Sequence, residues 1–306
     1  MNDISYITIK QKDGYITKLT QYICPIKPKA SILILHGMAE HQDRYQTFAK
    51  YLVGLGFDVF TYNHRGHGPD KKLNDLGFIS AENGFHLLVE DVITISEQID
   101  KTNRSNQFFL LGHSMGSLIA RNVIQTYDKY TGVILSGTTY PSTLLTASGL
   151  CASSIISKFN GPKHISPYLN NLMFGGKKYT SLGSRTTFDW LSRSNPVVGA
   201  YINDPYCGFI CTASFYHDLI KLVSSATKKN AICQTKKDLP IYVISGQKDP
   251  VGGYGKEINK FLSILKKCEF TNVTSKLYPD CRHEILNEIN HDEVFDDIQQ
   301  WISKRL

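Results

Sequence analysis

The sequence lacks the features that mark secreted and membrane-spanning proteins. Its seven cysteines are an odd number without regular spacing or a Cys-x-x-Cys pair, so we expect free thiols in a reducing cytoplasm. The opening stretch MNDISYITIK has no basic segment followed by an apolar one and predicts no signal peptide. No uninterrupted apolar run approaches the length of a membrane span. We therefore expect a cytoplasmic protein, and peripheral contact with a membrane stays open.

The sequence also lacks the pattern of a nucleic-acid-binding protein. Its 34 basic and 27 acidic residues give a net charge of +7, but no basic cluster is interleaved with aromatic residues. Part of the excess is local, because residues 141–210 hold six basic residues against two acidic ones. We predict no nucleic-acid partner. Two interpretations of the local charge stay open, a solvated surface and a surface that contacts lipid transiently.

Strand-like and helix-like segments alternate through most of the chain. Alternating residues on both sides of Asp13-Gly14 predict an N-terminal antiparallel hairpin. Apolar runs then alternate with helix-like stretches, a pattern typical of a mostly parallel sheet with crossover helices. The predicted strands lie at 31–37, 57–63, 107–113, 132–137, within 239–250 and at 272–278. The predicted helices lie at 43–55, 83–100, 117–127, 255–267 and at the end of the chain.

This alternation is interrupted in the middle of the chain. Residues 140–209 are rich in Ser, Gly and Pro, contain no strong strand and include apolar stretches that could form helices. We predict that this segment is an inserted helical cap over one end of the sheet. Residues 1–139 and 210–306 then form the α/β core, and a chain of 306 residues suits one large α/β domain with one insertion.

One short motif indicates a catalytic nucleophile. Gly112-His113-Ser114-Met115-Gly116 joins a strand-like run to a helix-like one, which is the context of a nucleophile elbow. Such a turn forces the serine into a strained backbone conformation and brings the residues on either side so close that only glycine fits. The following helix directs its N-terminus at the same point and favours an anion there. We predict that Ser114 is the nucleophile.

A serine hydroxyl needs a base, and the base needs an orienting acid. In this kind of turn the acid and then the histidine follow in chain order, each after a later strand. Asp249 and His283 stand in those places. The oxyanion of a tetrahedral intermediate needs two backbone N–H donors, and we predict that Met115 and Met38 supply them.

Rival motifs fail on detail. His283-Glu284 begins like a zinc-binding HExxH, but Asn287 stands where the second histidine should be. The glycine-rich stretch 252–256 resembles a phosphate loop, but Pro250 replaces its first glycine and Glu257 its Ser or Thr. We therefore predict no metal site.

Taken together, the motifs resemble the α/β-hydrolases of the monoglyceride lipase and lysophospholipase group, most closely the bacterial type. The resemblance rests on HGMAEHQDRY (36–45), NHRGHGPD (63–70), GHSMGS (112–117), LSRSNPVVGAYINDP (191–205), SGQKDPVGGYGK (245–256) and YPDCRHEILNE (278–288). It implies the α/β-hydrolase fold, a Ser114–Asp249–His283 triad, a Met38/Met115 oxyanion hole and no cofactor. It also implies a mobile cap over roughly 140–210 and single-acyl lipids or small esters as substrates.

The same resemblance implies that Glu40 and Arg44 help to shape the glycerol end of the substrate pocket, although a structural Glu–Arg pair explains them equally well. Two departures from the lipase pattern are Ser117, where a second glycine is usual, and Asn63, where an Asp is usual.

Three functions stay open at this point. The first is a carboxylic ester hydrolase that acts on monoacylglycerol or lysophospholipid. The second is a peptidase, which would need acidic groups to hold an amine, and residues 140–209 offer only Asp189 and Asp204. The third is a non-catalytic binding protein on the same fold, because fold alone does not establish function.

Overall fold

The computed structural model describes residues 4–102, 104–182 and 185–306. Its centre is an eight-stranded sheet in the order β1-β2-β4-β3-β5-β6-β7-β8. The first two strands form the predicted antiparallel hairpin, β2 pairs antiparallel with β4, and the remaining neighbours pair in parallel. The strands are β1 (Ile4–Lys10), β2 (Ile16–Tyr22), β3 (Ser31–Leu35), β4 (Asp58–Tyr62), β5 (Phe108–His113), β6 (Gly132–Ser136), β7 (Ile241–Gly246) and β8 (Val273–Tyr278).

Helices connect the parallel strands, as the alternation predicts. The first predicted helix is divided into a 3-10 turn at Gln42–Tyr45 and a following α-helix. The α-helices are α1 (Gln46–Gly54), α2 (Gly84–Thr102), α3 (Met115–Val123), α4 (Thr143–Asn160), α5 (Pro167–Phe174), α6 (Lys177–Thr180), α7 (Asn195–Asn203), α8 (Ala213–Thr227), α9 (Lys229–Gln234), α10 (Lys256–Lys267) and α11 (His291–Ser303).

The sheet is buried on both faces. Successive side chains of a strand point to opposite faces, so Leu33 and Leu35 of β3 join a core with α2, α3 and α8. Ile32 and Ile34 join a second core with α1 and α11. This explains why the parallel strands read as continuous apolar runs and not as alternating ones.

The segment predicted as a cap is helical. Residues 140–209 contain α4 to α7, and no strand of the sheet lies in the described part of this segment. The cap boundaries and its mobility stay predictions. Helices α8 and α9 lie outside the predicted helices, although α8 places Phe215, Leu219 and Leu222 in the main core.

The expectation that all cysteines are free is wrong for one pair. Cys233 at the end of α9 and Cys268 after α10 form a disulfide with a Cα–Cα distance of 4.7 Å. The two residues are 35 positions apart, so only the packing of these helices brings them together. The other five cysteines are free. Within the described residues we find no helix whose length and hydropathy would let it span a bilayer.

Candidate active site

The turn at Ser114 has the strained geometry that the motif predicts. Ser114 has φ +52° and ψ −118°, a conformation that L-residues rarely adopt. A Cβ atom on Gly112 would lie 2.3 Å from the carbonyl oxygen of Gly116, and one on Gly116 would lie 2.3 Å from that of Leu35. Both positions therefore need glycine. The turn is fastened by a hydrogen bond from the Ser114 N–H to the Ser136 carbonyl of β6 at 2.9 Å.

Ser114, His283 and Asp249 form a continuous chain of hydrogen bonds. The Nε2 atom of His283 lies 2.8 Å from Ser114 Oγ, and its Nδ1 atom lies 2.9 Å from Asp249 Oδ2. Asp249 is fully buried, and its carboxylate also accepts hydrogen bonds from the Val251 N–H at 2.8 Å and the Ser245 hydroxyl at 3.1 Å. With Nδ1 donating to the acid, Nε2 is left to accept the serine proton.

The loops that carry Asp249 and His283 are held against each other. The Lys248 N–H donates to the Cys281 carbonyl at 2.9 Å. A Cβ atom on Gly246 would lie only 2.1 Å from the Arg282 carbonyl oxygen, so the two backbones cross in close contact at this glycine. The carboxyl ends of β7 and β8 thereby deliver the acid and the histidine to the same edge of the sheet as Ser114.

The site raises the pKa of His283 and lowers the pKa of the neighbouring His113. Burial alone lowers the pKa of His283, but the charge and the hydrogen bond of Asp249 outweigh it and raise this pKa above its ordinary value of 6.5. The ring of His113 lies 4.8 Å from that of His283. Burial, together with the charge of His283, lowers the pKa of His113 to about 4.

The loop after β3 lies against the serine. A Cβ atom on Gly37 would lie 3.2 Å from Ser114 Cβ, and Met38 and Met115 both line one cavity at Ser114. No hydrogen bond among the described residues uses the Met38 N–H. Met115 is the first residue of α3, so its N–H has no partner within the helix. Their roles as oxyanion donors stay a prediction.

Glu40 and Arg44 belong to a buried ionic network. One Glu40 oxygen accepts from the Gly37 N–H at 2.5 Å and from the Tyr45 hydroxyl at 2.8 Å, and the other accepts from Arg44 at 2.7 Å. Arg44 also forms a two-bond pair with Glu284, at 2.7 and 2.6 Å. Burial would raise the pKa of Glu40, but Arg44 and these donors keep it below its ordinary value. Glu40 lines a cavity, and substrate contact by either residue stays a prediction.

An apolar cavity of about 350 Å³ opens on one side of Ser114. Its walls come from α3, α8 and the helices of the predicted cap. They include Leu118, Leu145, Leu169, Leu172, Leu219 and Ile220. A hydrocarbon chain placed here would exchange water for side chains, at about 0.8 kcal/mol for each buried methylene.

A second, more polar cavity of about 370 Å³ opens on the other side. It shares Met38, Ser114 and Phe174 with the apolar cavity. Its polar walls are hydroxyls, amides and carboxylates, from Asn170, Asn171, Thr180, Thr187, Tyr201, Glu40 and Glu284. No lysine or arginine among the described residues lines it.

The sequence analysis gave no role to three further residues that touch the loops of Met38 and His283. The Trp190 carbonyl accepts from the His283 N–H at 3.3 Å, and the rings of these two residues lie 5.2 Å apart. The Tyr201 hydroxyl donates to the Ala39 carbonyl at 2.9 Å. The His67 Nε2 atom accepts from the Ala39 N–H at 3.2 Å. His67 and Tyr201 lie in the quoted stretches 63–70 and 191–205, but these are contacts between distant segments, which no local pattern indicates.

One cluster combines metal-ligating types of side chain. Potential ligand atoms of His41, Asp204 and Cys207 lie within 4.8 Å of one another. His41 Nε2 is already hydrogen-bonded to Asp204 at 2.8 Å, and burial raises the pKa of the Cys207 thiol. A structural hydrogen bond therefore accounts for the pairing, and we assign no metal to these residues.

Known proteins are similar to this chain in sequence and in fold. The chain is 28% identical to human monoglyceride lipase over 290 residues, which cover 91% of this chain and 84% of that protein. It is 25% identical to a phospholipase of Bacillus subtilis over 272 residues, 88% of this chain and 93% of the relative. A carboxyl esterase from Bacillus coagulans, solved with glycerol, superposes with a TM-score of 0.89, 25% identity and 99% coverage of both chains.

The superposition covers nearly the whole chain, including the eight-stranded sheet, and it supports the α/β-hydrolase fold expected from the motifs. Residues 26–290 match the family described as "Serine aminopeptidase, S33". The chain therefore belongs to this family of α/β-hydrolases.

Proposed function

We propose that the protein is a serine ester hydrolase that works through an acyl-enzyme intermediate. The observation that carries the proposal is the hydrogen-bonded chain from Asp249 through His283 to Ser114. In the first step the Ser114 oxygen attacks the ester carbonyl carbon while its proton moves to His283 Nε2. The carbonyl π electrons move to the oxygen, and the Met38 and Met115 N–H groups stabilise the resulting oxyanion.

The intermediate then collapses. The C–O bond to the alcohol breaks, the alcohol oxygen takes the proton from His283, and the acyl group stays on Ser114. A water molecule next gives its proton to His283 and attacks the acyl carbon. The second tetrahedral intermediate releases the carboxylic acid and returns the proton to Ser114. Asp249 keeps the imidazole in the required tautomer and stabilises its cation in both steps.

The two cavities support a substrate with one acyl chain and a neutral polyol head group. The apolar cavity suits the chain. The polar cavity offers hydrogen-bonding groups for hydroxyls, and its two carboxylates are paired with Arg44. A lysophospholipid would bring a phosphate into a cavity that no described lysine or arginine lines. We therefore favour monoacylglycerol, and a hydrolysis screen over both lipid classes at graded chain lengths tests this preference.

A peptidase is the second candidate, and one side chain favours it. Glu257 lines the apolar cavity and is the kind of group that holds a substrate amine. One of its oxygens already accepts hydrogen bonds from Thr139 and the Tyr140 N–H. Aminoacyl p-nitroanilides decide between the candidates: turnover of these amides above that of matched acyl esters would favour the peptidase.

The proposal includes reversible contact between the cap and a lipid surface. It also keeps the cytoplasmic location expected from the sequence, which the five free cysteines support and the Cys233–Cys268 disulfide does not. Helix α4 carries Leu144, Ile155 and Phe159 on its outer side, and the side chains of Leu144 and Phe159 are 82% and 80% exposed. Their spacing of 11 and 4 residues keeps them near one face of the helix. Lys158 is also exposed beside them.

The test of the central proposal is covalent labelling. A fluorophosphonate probe should modify the wild-type protein at Ser114, as seen by mass spectrometry of the labelled peptide. Ser114→Ala should stay folded and lose both the label and the hydrolysis of p-nitrophenyl butyrate. Cys281→Ser is the matched control, because it changes a nearby buried nucleophile and should keep both. Normal turnover by Ser114→Ala would refute the assignment.

A further inference from the structure

Ala39, the residue after Met38, is held by the second half of the predicted cap, residues 175–209. Ala39 is buried and has φ +52°, an unusual conformation for a residue with a Cβ atom. Its carbonyl oxygen accepts two hydrogen bonds, from the Tyr201 hydroxyl and from the Gly208 N–H, each at 2.9 Å. Tyr201 lies on α7, so a helix about 160 positions away along the chain holds this loop.

The peptide groups around Met38 are anchored on both sides. The Gly37 N–H donates to Glu40, and the Ala39 N–H donates to His67 Nε2 at 3.2 Å. The Met38 N–H lies between these two anchored groups and is the one donor of the three without a hydrogen bond among the described residues. Its direction is therefore set by the groups that fix its neighbours.

Tyr201 is itself held in place by packing. Its side chain is buried, with the Arg44 guanidinium 4.8 Å from the ring centre and the Phe188 ring at 5.1 Å. Ten positions before Tyr201, in the same half of the predicted cap, the Leu191 carbonyl accepts a hydrogen bond from the Glu284 N–H at 2.8 Å. One segment thus contacts both the loop of Met38 and the loop that carries the histidine.

We propose that Tyr201 is a positioning residue whose hydroxyl, by holding the Ala39 carbonyl, aims the Met38 N–H at the oxyanion. This inference rests on the proposed ester hydrolysis. It gives the second half of the cap a part in the chemistry, in addition to any part in covering the substrate. Loss of the hydroxyl leaves one hydrogen bond, from Gly208, on that carbonyl.

Tyr201 also lines the polar cavity, so the test must separate positioning from contact with the alcohol. The deacylation step does this, because the alcohol has already left while the second oxyanion still has to form. In Tyr201→Phe we expect deacylation of the butyryl-enzyme to slow about tenfold, less than the 10²–10³ loss that follows removal of an oxyanion donor itself. The rate should be the same whether the acyl group came from the p-nitrophenyl ester or from the glycerol ester.

A second readout uses a tetrahedral adduct without an alcohol side. Butaneboronic acid should bind Tyr201→Phe about tenfold more weakly than wild type, in parallel with deacylation. Tyr130→Phe is the matched control, because it removes another buried hydroxyl, hydrogen-bonded to Ser96 at 2.5 Å and remote from the cavities, and should change neither value. The burst amplitude counts folded active sites and corrects for any loss of folded protein.

The outcomes are distinct. A wild-type protein that shows neither a burst nor a fluorophosphonate label would defeat the proposed function itself. A wild-type burst together with unchanged deacylation and boronate affinity in Tyr201→Phe would overturn only the positioning role. A change confined to the KM of the glycerol ester would also overturn it, because that pattern indicates contact with the alcohol.

Discussion

The guanidinium of Arg44 makes a two-bond ion pair with the carboxylate of Glu284, the residue directly after His283. The same guanidinium bonds Glu40, whose other oxygen holds the Gly37 N–H. A single cation therefore joins the loop that carries His283 to the loop that carries Met38. Its flat, forked geometry suits two carboxylates at once.

Removal of this cation should destabilise the fold. Arg44→Ala leaves two buried carboxylates without their partner, and we expect a loss of about 3–5 kcal/mol in the free energy of unfolding. Arg44→Lys keeps the charge but loses the fork, so its loss should be smaller. Urea unfolding at neutral pH measures both. Lys129→Ala, which breaks the exposed pair with Asp100, is the control and should change stability little.

The pH dependence of hydrolysis should follow the pKa of His283. The base works only when neutral, so kcat/KM should rise with pH and level off above that pKa. Burial lowers this pKa, but Asp249 outweighs it, so the inflection should lie above 6.5, the ordinary value. His113, with its pKa lowered to about 4, stays neutral in this range. A profile measured with p-nitrophenyl butyrate that inflects below 6.5 would contradict this reading.

Loss of the charge on Asp249 should lower kcat far more than it changes KM. Asp249→Asn keeps the shape of the buried side chain but favours the wrong tautomer of His283, and we expect kcat to fall about 10⁴-fold with a small change in KM. The unfolding midpoint serves as the structural check. Asp280→Asn is a matched control on the neighbouring loop and should retain wild-type turnover. If Asp249→Asn is fully active, another acid orients the base.

A cation introduced into the polar cavity should change the head-group preference. Thr187 is exposed and lines this cavity. Thr187→Lys should raise kcat/KM for a lysophospholipid relative to the monoacylglycerol with the same chain, because a lysine in the wall can pair with the phosphate. Thr187→Gln has similar length without the charge and should leave the ratio near that of wild type. Equal ratios in both variants would show that the cavity does not hold the head group.

The outer face of α4 should matter only for substrate in a lipid surface. Phe159→Ser and Lys158→Ala should lower hydrolysis of monoacylglycerol in anionic vesicles, and added salt should lower the wild-type rate on these vesicles. Each basic residue near such a surface contributes about 1 kcal/mol. Turnover of a soluble short-chain ester should be unaffected.

Ile26→Ser provides the control for the loss of an exposed apolar side chain, because Ile26 precedes β3, at the end of the sheet opposite Ser114. Lys163 is less suitable than Lys158 as a test position, since its ammonium lies 4.9 Å from the Phe78 ring centre. Equal losses on vesicles and on the soluble ester would assign α4 to the acyl cavity alone.

The sequence predicted the sheet, its hairpin and the serine turn because each depends on local pattern. Gly112 and Gly116 are needed by one tight turn, and the apolar strands are bounded by turn residues. The order of residues along the sequence then indicated Asp249 and His283. In the structure, His283 lies within hydrogen-bonding distance of both Asp249 and Ser114.

What the sequence missed depends on packing between distant segments. Tyr201 and Trp190 meet the catalytic loops across 162 and 93 positions, and no periodicity records such contacts. The Cys233–Cys268 pair was missed for the same reason. Ser117 departs from the lipase pattern, yet its hydroxyl donates to the Ser114 carbonyl at 2.6 Å and so fastens the turn that a glycine would leave freer.

The meeting of two separate cavities at Ser114 has a kinetic consequence. In the proposed mechanism the alcohol leaves through the polar cavity while the acyl chain stays in the apolar one, so the polar cavity empties while the acyl-enzyme is still present. Any molecule that then enters the polar cavity competes with water for the acyl carbon. At high glycerol concentration the acyl-enzyme should therefore partition between hydrolysis and re-esterification. The ratio of fatty acid to new ester should then depend on how well the emptied polar cavity binds glycerol, and not on which ester was cleaved first.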